Sequence, residues 1–139
     1  MCQWLIGSIV RVATMNILSM TGLKIRIETP FVQECVAFYS KHLGMTVLET
    51  WDDNGDTGVI LGLGSTTRGE AFLELAWVET PRTYEGINLQ FRVADLGFVA
   101  DKLRGQVTFR GPDERPWGST YLYLEDPAGV QVILYEGEL

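Results

Sequence analysis

The most constraining feature of the sequence is an order of elements that occurs twice. LKIRIE (residues 23–28) and INLQFRV (residues 87–93) both alternate apolar and polar side chains, the pattern of a strand with one buried face. Each is followed by apolar residues at helical spacing, in VQECVAFYSKHL and LGFVADKLRG, and each helix is expected to end at a glycine, Gly44 or Gly105. Three more strands are predicted after each helix, so we infer an internal repeat of about 60 residues.

The two copies of the repeat are assigned to residues 22–78 and 86–137, with a linker between them. In the first copy, the later strands are predicted at residues 45–51, 58–63 and 71–77, with a Gly/Thr/Arg loop before the last. In the second copy they are predicted at residues 107–110, 119–125 and 130–136. Asp95 is predicted to cap the second helix, and Asp126 to cap the turn DPAG, where Gly129 supplies a permissive backbone.

Length and charge restrict the class of protein. The chain has 139 residues and a formal net charge of −7, which suits one domain and disfavours nucleic acid and anionic lipid as partners. Residues 1–21 are interpreted as an N-terminal extension to a domain at 22–139, and Met15 and Met20 are alternative starts. The apolar run at 4–10 is too short to span a membrane and lacks the charges of a secretory signal. Cys2 and Cys35 have no metal or redox spacing, which favours free thiols and a cytoplasmic location.

The strands of both copies should each have one face covered by a helix and one opposite face that is largely polar. A polar sheet face can simply lie in water, or it can line a ligand cavity, and the pattern alone leaves both open. The residues predicted on the opposite face are Lys24, Arg26, Glu28, Phe72, Glu74, Asn88, Gln90, Arg92, Tyr121, Tyr123, Ile133 and Tyr135.

Four short motifs carry a family resemblance. In order along the chain they are FYSKHLG, the strand-borne LEL, RPWG and DPAG. Together with the repeat, they resemble the vicinal-oxygen-chelate superfamily, which includes glyoxalase I, extradiol dioxygenases and bleomycin-resistance proteins. The resemblance spans residues 23–137 and implies an α+β fold of two βαβββ modules, whose curled mixed sheets surround a cavity. It also implies a homodimer.

The resemblance further implies four metal-ligand positions, at Lys24, Glu74, Asn88 and Ile133. Only Glu74 is a strong donor, whereas a transition metal needs three or four converging donors. We therefore expect no metal cofactor of the usual kind, and we expect Lys24 to pair with Glu74 in its place. That pair is interpreted either as mutual neutralisation or as part of a ligand site. A magnesium ion held by Glu28 and Glu74 is an alternative with thin support.

The ring-bearing residues of the second copy suggest the ligand. Trp117, in the wedge Pro-Trp-Gly, precedes the strand that carries Tyr121 and Tyr123, and such rings stack on flat molecules. Packing of Trp117 in the core or in a dimer interface is an equal alternative. Arg26 and Arg92 are predicted to bind a carboxylate or phenolate, or else to pair with Glu28.

Three functions are compatible with these residues. The favoured one is a metal-free protein that binds a small aromatic or cationic molecule, such as an antibiotic, using the residues Lys24, Arg26, Glu28, Glu74, Asn88, Arg92, Trp117, Tyr121 and Tyr123. The alternatives are a metal-dependent lyase, isomerase or dioxygenase with an atypical site at Glu74, and a dimeric scaffold. His42, the single histidine, is interpreted as a helix-end residue.

Overall fold

A computed structural model describes residues 19–63 and 70–138, and it contains two successive modules. Most of the expected N-terminal extension, residues 1–18, and the Gly/Thr/Arg loop at residues 64–69 lie outside the described residues. The first module consists of β1 (Leu23–Thr29), α1 (Val32–Val36) with a π-helical continuation (Ala37–His42), β2 (Thr46–Asp53), β3 (Asp56–Gly62) and β4 (Ala71–Trp77). The second consists of β5 (Asn88–Arg92), α2 (Leu96–Leu103), β6 (Arg110–Glu114), β7 (Thr120–Glu125) and β8 (Gln131–Glu136).

Each module forms one four-stranded mixed sheet. The strand orders are β1-β4-β3-β2 and β5-β8-β7-β6, so the same topology occurs twice. The first strand of each module pairs in parallel with the last one, and the other pairs are antiparallel. The predicted α+β class and the two βαβββ modules are therefore confirmed.

The two modules share one hydrophobic core. The first helix packs on β3 and β4, and α2 packs on β6, β7 and β8. One cluster of buried side chains includes Ile27 and Leu75 from the first sheet and Leu89 and Leu122 from the second. Because side chains alternate along a strand, the polar side chains at the intervening positions lie on the opposite face of each sheet.

A buried hydrogen-bonding centre connects the first helix to the turn between β7 and β8. The Asp126 carboxylate accepts the Tyr39 hydroxyl at 2.5 Å and the amides of Ala128 and Val130 at 2.9 Å each. Burial raises the pKa of Asp126, and these hydrogen bonds oppose that rise. The predicted capping of the turn by Asp126 is confirmed, and Gly129 has the expected positive φ of 90°.

The second helix begins as predicted. Asp95 has extended backbone angles, and its carboxylate accepts the amide N–H of Phe98 at 3.0 Å. This bond satisfies one of the amides that the first turn of a helix leaves without a partner. The N-cap prediction is therefore confirmed.

The strand predicted at residues 107–110 is wrong in its bounds. Val107 and Phe109 alternate because they pack, partly buried, against the core before the strand begins. The strand itself is β6, which starts at Arg110 and contains Pro112. β6 lies at the edge of its sheet and pairs with β7 alone. Pro112, which has no N–H group, therefore interrupts no hydrogen bonds to a second neighbouring strand.

Candidate functional site

The polar faces of the two sheets are formed by the residues predicted for them. In the first sheet, Arg26 lies opposite Glu74 and Lys24 opposite Phe72. In the second, the parallel and antiparallel registers align three rows of side chains across β5, β8 and β7. These rows include Asn88, Gln90, Arg92, Gln131, Ile133, Tyr135, Tyr121, Tyr123 and Glu125. Each polar face lies on the side of its sheet away from the shared core.

The polar face of the first sheet is closed by ion pairs. The Arg26 guanidinium bridges two carboxylates, with Nε 3.3 Å from Glu28 and Nη1 3.3 Å from Glu74. Arg82, from the linker, also reaches Glu28 at 3.3 Å. Hydrogen bonds from Arg26 and then Arg82 lower the pKa of Glu28. The carboxylates of this face are therefore already partnered within the chain.

The expected pair between Lys24 and Glu74 is wrong. The parallel register places Arg26 beside Glu74, whereas Lys24 is two residues away and lies opposite Phe72. Glu74 is bound by Arg26, and its side chain is only 15 % exposed. In the described part of the chain, no ion pair involves Lys24. The expected alternative for Arg26, a pair with Glu28, is confirmed.

The four family ligand positions do not supply a donor set for a transition metal. Glu74 is held by Arg26, and the Asn88 side-chain oxygen accepts the Gln90 amide at 3.0 Å. Ile133 offers only hydrocarbon and is 4 % exposed. Among the described residues, no group of three or more His, Cys, Asp or Glu side chains could hold a metal. Arg26 also occupies the space between Glu28 and Glu74, so this pair does not fit a magnesium ion either.

The polar face of the second sheet carries a cluster of four rings, which we call the aromatic face: Trp117, Tyr121, Tyr123 and Tyr135. Tyr121 is central, with its ring centroid 5.8 Å from Trp117, 5.9 Å from Tyr123 and 6.1 Å from Tyr135. The ring planes are inclined by 50–71°, as in edge-to-face aromatic contacts. The Tyr121 hydroxyl donates to the Gln90 side chain at 3.3 Å, and Trp117 is 54 % exposed.

Two arginines that the sequence analysis did not single out lie against these rings. The Arg110 guanidinium is 3.8 Å from the Tyr123 ring centroid, and that of Arg115 is 4.9 Å from the Trp117 centroid. Arg115 is the first residue of RPWG, so its neighbour Trp117 was the available signal. Arg110 was missed because it is the last residue of the strand predicted at 107–110, and the side chains of that strand were not assigned to a sheet face.

The two arginines differ in their partners. Arg110 forms an ion pair with Asp113 at 3.3 Å. Arg115 has no carboxylate partner among the described residues, and its buried Nε has no hydrogen-bond acceptor there. An arginine without a counter-ion beside exposed rings can donate to an acceptor atom on a bound molecule.

The other tryptophans near the strand ends do not join the aromatic face. Trp51 lies on the polar face of the first sheet, where its indole N–H donates to Asp56 at 3.0 Å. Its ring covers Gly58 so closely that a Cβ atom there would lie 2.2 Å from a ring carbon. Trp77 alternates with Ala76 and so belongs to the other side of β4.

The structure contains the two βαβββ modules that the resemblance to the vicinal-oxygen-chelate superfamily implied. A family model described as the Glyoxalase/Bleomycin resistance protein/Dioxygenase superfamily matches residues 24–134. The chain therefore belongs to this superfamily, and the predicted membership is confirmed. A search among curated proteins gives no match.

Solved structures agree with the fold. A glyoxalase-family protein from Bacillus anthracis has a TM-score of 0.71 and 16% identity, with 89% of this chain and 100% of that chain covered. TnmS3, an antibiotic-binding protein from Streptomyces sp. CB03234, has a TM-score of 0.64 and 16% identity, with 89% of this chain and 99% of TnmS3 covered. The trypanothione-dependent glyoxalase I of Leishmania major has a TM-score of 0.65 and 24% identity, with 86% of this chain and 87% of that chain covered. At these identities the likeness shows the fold alone.

The described residues contain no helix that is long and apolar enough to cross a membrane.

Proposed function

We propose that this protein is a metal-free binding protein that holds a flat aromatic small molecule on its aromatic face. The observation that carries the proposal is the cluster of four rings with two guanidinium groups beside it, open to solvent at Trp117. Stacking on such rings supplies affinity, and the guanidinium of Arg115 supplies orientation. Of the other residues predicted to bind the ligand, Asn88 and Arg92 lie on the same sheet face. The remaining four lie on the first sheet and are not part of this proposal: Lys24, Arg26, Glu28 and Glu74.

The charges of the aromatic face narrow the ligand class. The sequence left an aromatic and a cationic ligand open. Arg115, which has no carboxylate partner among the described residues, disfavours a cation by like-charge repulsion, whereas the charge of Arg110 is offset by Asp113. An aromatic molecule with a carboxylate, phenolate or quinone oxygen can instead pair with the Arg115 guanidinium, which has no carboxylate partner among the described residues. Many antibiotics belong to this chemical class. The fold that the chain shares with the antibiotic-binding TnmS3 supports sequestration of such a compound.

Fluorescence titration tests the proposal. A panel should contain a planar aromatic acid such as anthracene-2-carboxylate, its parent anthracene, which has no oxygen acceptor, and the cationic bleomycin. We expect the acid to bind best, and we expect Trp117→Ala to weaken that binding by about tenfold. Trp77→Ala is the matched control, because it removes an exposed tryptophan outside the aromatic face, and it should leave the affinity unchanged. Equal loss in both variants, or no binding by any aromatic compound, would refute the proposal.

Elemental analysis tests the metal-free part. Protein purified without a chelator should contain less than about a tenth of an equivalent of any transition metal, given the affinity of such sites. A stoichiometric metal would instead favour the alternative, a metal-dependent lyase, isomerase or dioxygenase anchored on Glu74. That alternative has weaker support because Arg26 already binds the Glu74 carboxylate.

We also propose that the protein is a cytoplasmic homodimer. The family resemblance supports the dimer. The buried, free thiol of Cys35 supports a reducing compartment. Light scattering after size exclusion tests the dimer, and cell fractionation tests the location.

A further inference from the structure

A separate cavity lies on the helix side of the molecule, where the ends of the two helices meet. Its volume is about 580 Å³, within the range of small-molecule sites. His42, from the end of the first helix, and Gln106, just after α2, both contribute to it. Its walls are mainly apolar and include Met45, Phe91 and Val99. None of the four rings of the aromatic face is among the described residues that line it.

Among the described residues that line this cavity, all the charged side chains are basic. Two of the chain's three lysines, Lys41 and Lys102, line it together with the single histidine, His42, and with Arg92. None of the described lining residues is acidic, although the chain carries a net charge of −7. Neither lysine forms an ion pair within the described residues. An apolar cavity with a cationic rim complements a molecule that has an apolar body and a negative head.

Helix electrostatics explain only part of this arrangement. A cation in the last turn of a helix is stabilised by the helix dipole, which accounts for Lys41 and Lys102 one at a time. It does not account for their convergence on one cavity. The apolar N-terminal segment is a poor occupant, because residues 1–20 contain Arg11 and no acidic residue to offset the rim.

We propose that this helix-end cavity is a second binding site, and that it takes an anionic amphiphile such as a medium-chain carboxylate. The apolar walls hold the chain of the ligand, and Lys41 and Lys102 attract its carboxylate. Phe98, which is exposed and has the Lys102 ammonium 5.4 Å from its ring centroid, adds apolar surface beside the charge. Among the described residues, the two proposed sites share Arg92, which lines this cavity and also stands in a row with Tyr135 and Tyr121. The proposed contacts to the carboxylate, Lys41 and Lys102, are not part of the aromatic face, so either proposal can fail without the other.

Titration of ¹⁵N-labelled full-length protein with decanoate tests the site. We expect a dissociation constant below about 1 mM. The largest amide shifts should fall at residues 41–45 and 98–106, while Tyr121 and Tyr123 stay unchanged. Lys41→Glu and Lys102→Glu should each weaken binding about fivefold or more. Lys24→Glu makes the same change of net charge outside the cavity and should leave the affinity within about twofold, since distant exposed charges are screened.

Four outcomes would overturn the inference. They are no amide shift at about 1 mM decanoate, shifts confined to the aromatic face, equal affinity for the uncharged decan-1-ol, and equal loss in Lys24→Glu. A polar, uncharged variant of the apolar run, Leu5→Gln with Ile9→Gln, examines the competing occupant. If it increased decanoate affinity about tenfold or more, the cavity would bind the N-terminal segment of the chain instead.

Discussion

The polar faces of the two sheets have the same topology and opposite chemistry. In the first sheet, Arg26 joins Glu28 and Glu74 in ion pairs, so the face is closed by its own charges. In the second, Tyr121 lies at the centre of a ring cluster, and Arg115 has no counter-ion within the described residues. The same supersecondary unit thus occurs with two kinds of polar face. In the first copy the charged side chains pair with one another, and in the second copy the exposed rings suit a ligand.

This difference shows where a repeat can diverge. The core sides of both sheets belong to one cluster of buried side chains, in which a change of volume is destabilising. The polar faces have no such constraint, since their side chains contact one another and solvent. We therefore expect the ligand of the proposed function to be selected by the outward rows of side chains, and the two rows are best tested against each other.

The largest expected effect comes from replacing Asp126, which connects the first helix to the turn between β7 and β8. Asp126→Ala leaves the Tyr39 hydroxyl and the amides of Ala128 and Val130 without their acceptor. We expect the free energy of unfolding to fall by about 3 kcal/mol. Urea unfolding followed by circular dichroism and by tryptophan fluorescence should give coincident transitions, because the modules share one core.

Asp113→Ala is the matched control for this prediction. Asp113 pairs with Arg110 at the exposed edge of the second sheet, and its loss should lower the free energy of unfolding by less than about 1 kcal/mol. Asp126→Asn keeps the shape of the side chain and serves if the alanine variant does not fold. Equal destabilisation by both alanine variants, or separate transitions for the two modules, would contradict a shared core held at Asp126.

The next effect concerns the difference between the two faces. Tyr121→Ala removes the central ring of the aromatic face and should weaken binding of a planar aromatic acid by about tenfold. Trp51→Ala removes a larger ring from the face closed by ion pairs and should leave that affinity within about twofold, because the ring covers Gly58 and not the proposed ligand. Isothermal titration calorimetry measures both. A greater loss in the Trp51 variant would reverse the assignment of the faces.

The repeat, the strand faces and the capping residues could be predicted because they depend on local patterns. Alternation assigns each side chain to a face, and Asp95 and Asp126 act on amides within four residues. The bond from Tyr39 to Asp126 could not be predicted, since it joins residues 87 apart in the sequence. In the sequence, Tyr39 has only the spacing of a helix residue, and Asp126 has only the context of a turn residue.

The site was less predictable because neighbouring strands can shift relative to each other. Alternation placed Lys24, Arg26 and Glu74 on one face, but only the parallel register decides that Arg26 is the neighbour of Glu74. The helix-end cavity was not predicted at all. His42 and Lys41 carry no local signal beyond that of a helix end, and their convergence with Lys102 depends on how the two modules pack.

The smallest expected effect tests how the first face closes. Arg26→Gln should raise the pKa of Glu28 toward its ordinary value, because the hydrogen bond from Arg26 is the main cause of the lowered pKa. Arg82→Gln should raise it less, and Arg110→Gln, on the other face, should not change it. Carboxyl NMR titration of the three variants measures the pKa directly.

The sign of the linked pH dependence follows from the direction of this shift. Because the folded protein holds Glu28 at a lowered pKa, the unfolded chain binds the proton first as the pH falls. The stabilisation from ionised Glu28 is thus complete above its ordinary pKa and is lost as the pH falls through the folded pKa. In Arg26→Gln, the free energy of unfolding should therefore depend less strongly on pH in this acidic range. If Glu28 titrated identically with and without Arg26, the ion pairs would not close the first face, and the contrast between the two faces would rest on the rings alone.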